Sequence, residues 1–472
     1  MVRLKSKPER NGQVIPQRVH LVGAGGMHMS AIGQILLARG HIVTGSDLVP
    51  SEHVERLRAQ GATIYQGHAA ANVGNAELVV TTVAVKDDNE ELRAARDLGL
   101  PVIVRAEMVQ RLIAGRDVLA VAGTHGKTTT TTLLALMAVR GGLDPLMLAG
   151  GDSRELGGNA RDGSGRVAVI EADEYAEAFL QYEPQLALIL NVEADHLDYY
   201  GTEERFVEAF RTFAGRVKPA GTLFVCADSP YASQIGEERR RAGARVERYA
   251  LGDTDAEWRA IQLRGNDRGG LDCVVQLEGA ELGRLSLQVP GRHNVSNALG
   301  ALAVAMRAGV DFHRAAQAAA EFTGAHRRFE LIGEAAGVTF VDDYAHHPTE
   351  VRATLLGARS RFPGRRLVGC FQPHTYSRSR YLLEGFRTCF EGLDDLYILG
   401  TFAARESADA GMSARELVAE IAKPRPVYLD TFEEATRRIA AALRPGDVFF
   451  TIGAGDVDRL GPLVKARLEA RR

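Results

Sequence analysis

Chemistry is most legible at 123–128, where Gly123-Thr-His-Gly-Lys-Thr128 follows an apolar run and opens a series of threonines reaching Thr132. A turn of this kind presents backbone N–H groups at the positive end of a helix, where phosphate oxygens are held. Gly123, Thr124, His125, Gly126 and Thr129 supply the loop, Lys127 supplies a cation, and the Thr128 hydroxyl is placed for Mg2+. The loop is a shortened variant, because the general pattern asks for glycine at 121 and this chain carries Val121. Two acidic clusters follow, Glu171-Ala-Asp-Glu174 and Glu193-Ala-Asp-His196, each after an apolar run. In a parallel sheet such strand ends face the same crevice as the phosphate loop. Glu171 and His196 are therefore candidate metal ligands, although Mg2+ prefers oxygen and an imidazole ligand is unusual for it. Taken alone, each cluster also suits a solvated turn or a helix cap.

Other motifs surround this centre. Gly23-Ala24-Gly25-Gly26 follows an apolar run, and Asp47 ends the next one, as in a dinucleotide fingerprint. His28 stands where the third glycine belongs, which weakens NAD binding and leaves a pyrophosphate site. Asn294, in Gly291-Arg-His-Asn294, is either a helix cap or a purine-contacting amide. The run His326-Arg-Arg328-Phe-Glu330 offers a cation that reaches phosphate across a cleft, or else an inter-domain salt bridge. Two polar loops, Asp342-Asp343-Tyr-Ala-His-His347-Pro348 and Phe371-Gln-Pro-His374-Thr-Tyr-Ser-Arg378-Ser-Arg380, bring histidines and arginines to one site or are simply solvated. No HExxH pair, GxSxG elbow or CxxC spacing occurs.

The elements that must carry these loops alternate. Short β-branched runs at 19–22, 42–44, 78–82 and 101–104 predict strands, with helices at 30–39 and near 106–114. The pattern restarts at 117–122, 166–170, 185–190 and 223–225. It restarts again after Arg327 at 338–341, 366–371, 396–399, 426–429 and 448–452. Residues 251–290 are polar and interrupted by glycine, with alternating runs at 273–277 and 285–289, as expected of a small antiparallel appendage before a helix near Asn294. The prediction is an α/β chain of three domains, 1–113, 114–325 and 326–472, with Rossmann-like units flanking a central P-loop ATPase unit. Its 472 residues exceed the roughly 250–300 that one core sustains. The formal charge of −3 offers no general field for nucleic acid or acidic lipid. The four cysteines are far apart, arguing against a disulfide framework. The segment 1–18 is basic and lacks an apolar core, and no run approaches the roughly 18 apolar residues of a membrane span, so neither secretion nor membrane insertion is expected.

In one order the chain carries GAGGMHMSAIG, AGTHGKTTT, EADE, NVEADHLD, GRHNVSNA, HRRFE, DDYAHHPTEV and FQPHTYSR. Together, over about residues 18–455, these resemble the Mur ligase family of peptidoglycan synthesis. The resemblance implies a UDP-sugar domain, an ATPase domain and a C-terminal domain that receives an amino acid and closes over ATP. It implies ATP-driven joining of L-alanine to UDP-N-acetylmuramate through an acyl phosphate, with Mg2+ or Mn2+, in the cytoplasm, by a monomer or homodimer that binds no nucleic acid. Lys127, Glu171, His196, Arg328 and His347 are then the catalytic set. Asn294, Arg328 and Asp343 join the loop in contacting ATP. Gly23, Ala24, Gly25, Gly26, Ser46, Asp47, His68 and Arg105 hold the UDP-sugar, and His347, His374, Arg378 and Arg380 face the acceptor. Thr128 and Glu171 hold one metal ion, and a second lies near His196. Two departures stand out: His28, where the family commonly has glycine, and Tyr175-Ala176, where it commonly has serine and aspartate, which leaves Glu174 a secondary metal candidate. Alternatives are a ligase adding a whole tripeptide to the same sugar nucleotide, a folylpolyglutamate synthetase, which would not explain the N-terminal glycine loop, and a nucleotide-gated binding protein that ligates nothing.

Overall fold

The computed structural model of the chain describes residues 14–404 and 406–470. Most of the basic N-terminal segment, 1–13, lies outside the described residues. The alternation of strand and helix forms three sheets. The first has five parallel strands, in spatial order Thr63–Gln66, Ile42–Asp47, Arg18–Val22, Leu78–Thr81 and Val102–Val104. Chain order reverses beside Arg18–Val22, and such a switch point opens a crevice beyond the carboxyl ends of the strands. The first glycine loop lies there.

The second sheet has ten strands. Its order is Ala280–Ser286, Leu271–Leu277, Trp258–Gly265, Val246–Leu251, Thr222–Cys226, Leu186–Ile189, Asp117–Ala122, Val167–Glu171, Leu146–Ser153 and Gly158–Asp162. The expected appendage is thus an antiparallel continuation of the same sheet, and its last strand is Ala280–Ser286 rather than 285–289. At the opposite edge, Gly158–Asp162 runs antiparallel to Leu146–Ser153. The third sheet runs Glu330–Ala335, Val338–Asp343, Val448–Ile452, Leu367–Phe371, Asp395–Leu399 and Val427–Leu429, with only the first strand antiparallel.

Helices Lys127–Arg140 and Arg292–Arg307 pack on one face of the central sheet through an apolar core. The threonine run suits this burial, because Thr132 returns its hydroxyl to the carbonyls of Thr128 and Thr129 at 2.8 and 3.1 Å. The opposite face carries Phe179, Phe206, Phe210 and Phe213, all fully buried. Each such side chain stabilises the fold by about 1.5–3 kcal/mol. The four cysteines are buried and free. Among the described residues no helix is long and apolar enough to cross a membrane.

Polar contacts join the domains. Arg39 holds Asp162 through two bonds of 2.8 and 3.0 Å, and Arg56 holds Asp152 through two of 2.7 and 2.8 Å. The Asn159 amide donates to the Met27 carbonyl at 2.9 Å. On the other side Arg378 contacts Asp195 at 3.0 Å, and Thr349 donates to Glu193 at 2.8 Å.

Candidate active site

Strand Asp117–Ala122 delivers the phosphate loop from the interior of the sheet. Two positions demand glycine. Gly123 has φ 147°, and a Cβ there would stand 2.9 Å from Cβ of Leu190; Gly126 has φ 81°, and a Cβ would meet the Asn297 amide at 2.8 Å. Asn191 holds the Thr124 and His125 N–H groups at 3.0 and 2.8 Å. The first turn of helix Lys127–Arg140 is left to receive an anion.

Lys127 Nζ folds back to donate to the carbonyls of Gly123 and Thr124 at 2.6 and 3.1 Å and to Glu174 Oε1 at 2.8 Å. Burial opposes its charge, but Glu174 and Asp173 outweigh burial and keep its pKa above the ordinary lysine value. Glu174 is 1% exposed, and burial raises its pKa against the pull of Lys127. The 2.8 Å contact is that of an ammonium with a carboxylate. Thr128 Oγ1 donates to Glu171 Oε1 at 3.1 Å, while the Gly150 N–H fixes Glu171 Oε2 at 2.7 Å.

Those two oxygen side chains fit Mg2+. His196, expected beside a second ion, stands apart from them. Its Nε2 lies 3.7 Å from Glu174 and 3.9 Å from Asp195, and it faces a different cavity. A metal-like set that does converge among the described residues is His125, Glu193 and His347. It makes a poor metal site, because His347 Nδ1 accepts the Thr349 N–H at 3.2 Å, which places the ring proton on Nε2 and makes that atom a donor.

Gly126, Thr129, Asn294, Arg328, Asp343 and Glu350 line a pocket between the central and C-terminal domains. Asn294 is not a cap. Gly291 precedes helix Arg292–Arg307, and the Asn294 amide donates to the Pro290 carbonyl at 2.7 Å from inside the first turn. Asp343 accepts N–H bonds from Ala345 and Phe329 at 2.8 and 2.9 Å, and burial pushes its pKa up to about 6 against the pull of Arg328. His125 lies 3.4 Å from Glu193 and 3.3 Å from Glu350. Burial opposes its charge, yet the two adjacent carboxylates prevail and push its pKa up to about 9.

A second cavity, of about 630 Å³, opens over the N-terminal glycine loop and is lined by Gly23, Gly26, Asp47, His68 and Arg105, with Asp173 and Tyr175 from the central domain. Its anion-binding amides are not the expected ones. Gly23 and Ala24 donate to the Ser46 carbonyl at 2.9 Å each, Gly25 donates to Asp47 Oδ2 at 2.8 Å, and Gly26 donates to the Gly23 carbonyl at 3.2 Å. With these four amides taken up by Ser46, Asp47 and the loop, the open N–H groups belong to the first turn of helix Met27–Ala38. Ala24 and Ser46 are fully buried and do not line the cavity. The Ser46 hydroxyl donates to Glu91 at 2.5 Å and meets His68 Nδ1 at 2.9 Å, so it braces His68 from behind.

A third cavity, of about 280 Å³, lies between the central and C-terminal domains, lined by Tyr175, Asp195, His196, His374, Arg378 and Glu406 among others. Arg378 bonds Asp195 at 3.0 and 3.2 Å and the His374 carbonyl at 2.6 Å. Arg380 is not part of it. That side chain is exposed and donates to the Gly411 carbonyl at 3.1 Å, because residues two apart on helix Tyr376–Tyr381 point to different faces. His347 is also absent from this lining; it is buried with its ring 4.6 Å from that of His125. Sequence reasoning missed the helix start at Met27 and His28, and the roles of Tyr175, Asp195 and Glu350. The last two lie inside recognised motifs, but their cationic partners are distant in sequence. Tyr175 lines both the second and third cavities and packs edge-on against His196 at 5.0 Å.

Comparison with known proteins follows the same three units. Residues 18–117 match the Mur ligase family, catalytic domain; 121–305 match the Mur ligase middle domain; 327–455 match the Mur ligase, glutamate ligase domain. The chain is 42% identical over 464 residues to the UDP-N-acetylmuramate–L-alanine ligase of Mycolicibacterium vanbaalenii, covering 96% of this chain and 97% of that protein. A ligase of the same name from Solidesulfovibrio magneticus is 42% identical, with 94% and 97% covered. The crystal structure of UDP-N-acetylmuramate-alanine ligase from Thermotoga maritima superposes with a TM-score of 0.81 at 27% identity, covering 96% of this chain and 100% of that one. A murein peptide ligase from Psychrobacter arcticus gives 0.73 at 25% identity, with 96% and 99% covered.

Proposed function

This chain belongs to the Mur ligase family, and from that premise we propose that it joins the lactyl carboxylate of UDP-N-acetylmuramate to the amine of L-alanine, converting ATP to ADP and phosphate. Similarity to ligases of that name over nearly the whole chain supports the reading. The observation that carries it is Tyr175, at which a cavity over the N-terminal glycine loop and a cavity of the C-terminal domain meet next to Glu174 and thus Lys127.

Donor and acceptor fill those two cavities, and ATP fills the pocket of Asn294, Arg328 and Asp343. The carboxylate attacks the γ-phosphorus, ADP leaves, and the amine displaces phosphate from the acyl phosphate through a tetrahedral intermediate. Lys127 stays cationic and offsets charge on the transferred group. Thr128 and Glu171 would hold Mg2+, which would supply neutralising charge to the phosphate oxygens. Arg378, fixed by Asp195, binds the alanine carboxylate. Burial and the Arg378 guanidinium push the His374 pKa down to about 4, so its ring is neutral at pH 7 and lines the acceptor cavity as an uncharged hydrogen-bonding group rather than as a base. Closure of the C-terminal domain, through Thr349 on Glu193 and Arg378 on Asp195, keeps water from the acyl phosphate. The use of ATP and a sugar nucleotide sets the reaction in the cytoplasm.

The test measures ADP release with each substrate omitted in turn, and the mass of the product. ADP is expected only when all three are present, with a product heavier than the donor by one alanine residue. ADP formation that ignores L-alanine, or preference for a tripeptide in direct competition, would overturn the reading.

A further inference from the structure

His28 is the second residue of helix Met27–Ala38, whose open N–H groups border the donor cavity, and its ring lines that cavity. The ring Nε2 is sealed from solvent and has no hydrogen-bond partner. Folded proteins seldom leave a buried nitrogen unpaired, and at a cavity wall such a nitrogen is placed to take a ligand atom. The charges acting on the ring are those of Arg105, Glu171, Asp173 and Lys127, so it stands where the donor cavity approaches the phosphate loop. Its position is fixed. Asn159, fully buried on the central edge strand, donates to the Met27 carbonyl at 2.9 Å and accepts from Gln34 at 3.1 Å, which ties both ends of the helix's first two turns to the central domain.

The two kinds of donor near this helix suit two anions on one molecule. Backbone N–H groups of the first turn suit the diphosphate. The ring, on which the charges of Arg105, Glu171, Asp173 and Lys127 all act, suits the carboxylate that must reach the γ-phosphorus. Resting on the ligase reading above, we propose that His28 binds the reacting carboxylate of the sugar nucleotide, donating a hydrogen bond from Nε2–H that aims it at the phosphate loop. In the dinucleotide pattern this position is a glycine, which has no side chain to make such a bond.

The test uses the full chain with His28 intact, as His28→Ala and as His28→Gln. Titration calorimetry without ATP is run with UDP, UDP-N-acetylglucosamine and UDP-N-acetylmuramate, of which only the last carries the carboxylate. Ligation kinetics give kcat and KM for each enzyme. Removing one hydrogen bond to a charged group is expected to weaken UDP-N-acetylmuramate about tenfold and to lower kcat/KM at least as much, while UDP and UDP-N-acetylglucosamine change by less than about twofold. Unchanged binding of those two ligands also reports an intact fold, and His28→Gln, which retains an N–H donor, is expected to recover most of the loss. Equal weakening of all three ligands would put the ring on the diphosphate and overturn the assignment, as would full affinity and turnover in His28→Ala. The unsubstituted enzyme separates this failure from failure of the ligase reading: if it does not itself prefer UDP-N-acetylmuramate to UDP-N-acetylglucosamine, the reading on which the proposal rests is wrong.

Discussion

Lys127 contacts two loop carbonyls and a buried carboxylate, so replacing it has two separable effects. One is loss of the cation that faces phosphate; the other is that Glu174 is left buried without its partner, at a cost of about 3–5 kcal/mol. Lys127→Ala is expected to lower ADP formation by about a thousandfold or more. The double variant Lys127→Met, Glu174→Gln should regain melting temperature but not turnover, and recovery of turnover would remove the lysine from the reaction. Arg378 and Arg380 give a second contrast. Arg378→Ala should cost at least about tenfold in kcat/KM for L-alanine, while Arg380→Ala should stay within about twofold. Equal losses would contradict the cavity described here. At this scale the sequence exposed the loop, the acids and the histidines, because their chemistry is local. It did not separate Arg378 from Arg380, since only the helix phase decides which of them faces the cleft, and it placed Ser46 in a cavity whose wall lies in front of it.

Individual elements act through their ends. Gly126→Ala would force a non-glycine residue to φ 81° and press a methyl against Asn297. The backbone strain alone is about 1–2 kcal/mol, and ATP affinity should fall with it; a calorimetric affinity equal to that of the unsubstituted chain would show that the loop relaxes freely. His125 links the phosphate loop to helix Pro348–Arg361 through Glu350. Its pKa is raised from 6.5 to about 9, so the protonated ring is favoured by folding. That stabilisation is complete below about pH 6.5 and is lost as pH rises through about 9. Unfolding titrations should show about 1–3 kcal/mol lost over that interval, and a flatter slope for His125→Asn. Identical slopes would remove His125 from the linkage. Parallel strands such as Asp117–Ala122 and Val448–Ile452 were legible as apolar, β-branched runs. The hairpin of Leu146–Ser153 and Gly158–Asp162 was not, because its glycines and alternating polar residues imitate a loop.

For the whole molecule, the strand pattern and its two restarts foretold three sheets. Their mutual placement was not foretold, because the joining contacts pair residues about a hundred positions apart, such as Arg56 with Asp152 and Arg39 with Asp162. Polar interfaces of this kind permit domain motion. Asp152→Ala combined with Asp162→Ala should increase the radius of gyration in small-angle scattering and raise KM for the sugar nucleotide more than for ATP. An unchanged profile would mean that apolar packing alone holds the N-terminal domain. The cavities meeting at Tyr175 arise only because both outer domains dock on the central one. The N-terminal glycine loop, by contrast, has its four amides already bonded, three to Ser46 and Asp47 of the neighbouring strand and one within the loop, before any substrate arrives. Its ordering entropy is settled once, during folding, and is absent from every later encounter. The sugar nucleotide therefore meets a rigid cradle, and its capture is paced by diffusion and domain opening rather than by the loop taking shape around it.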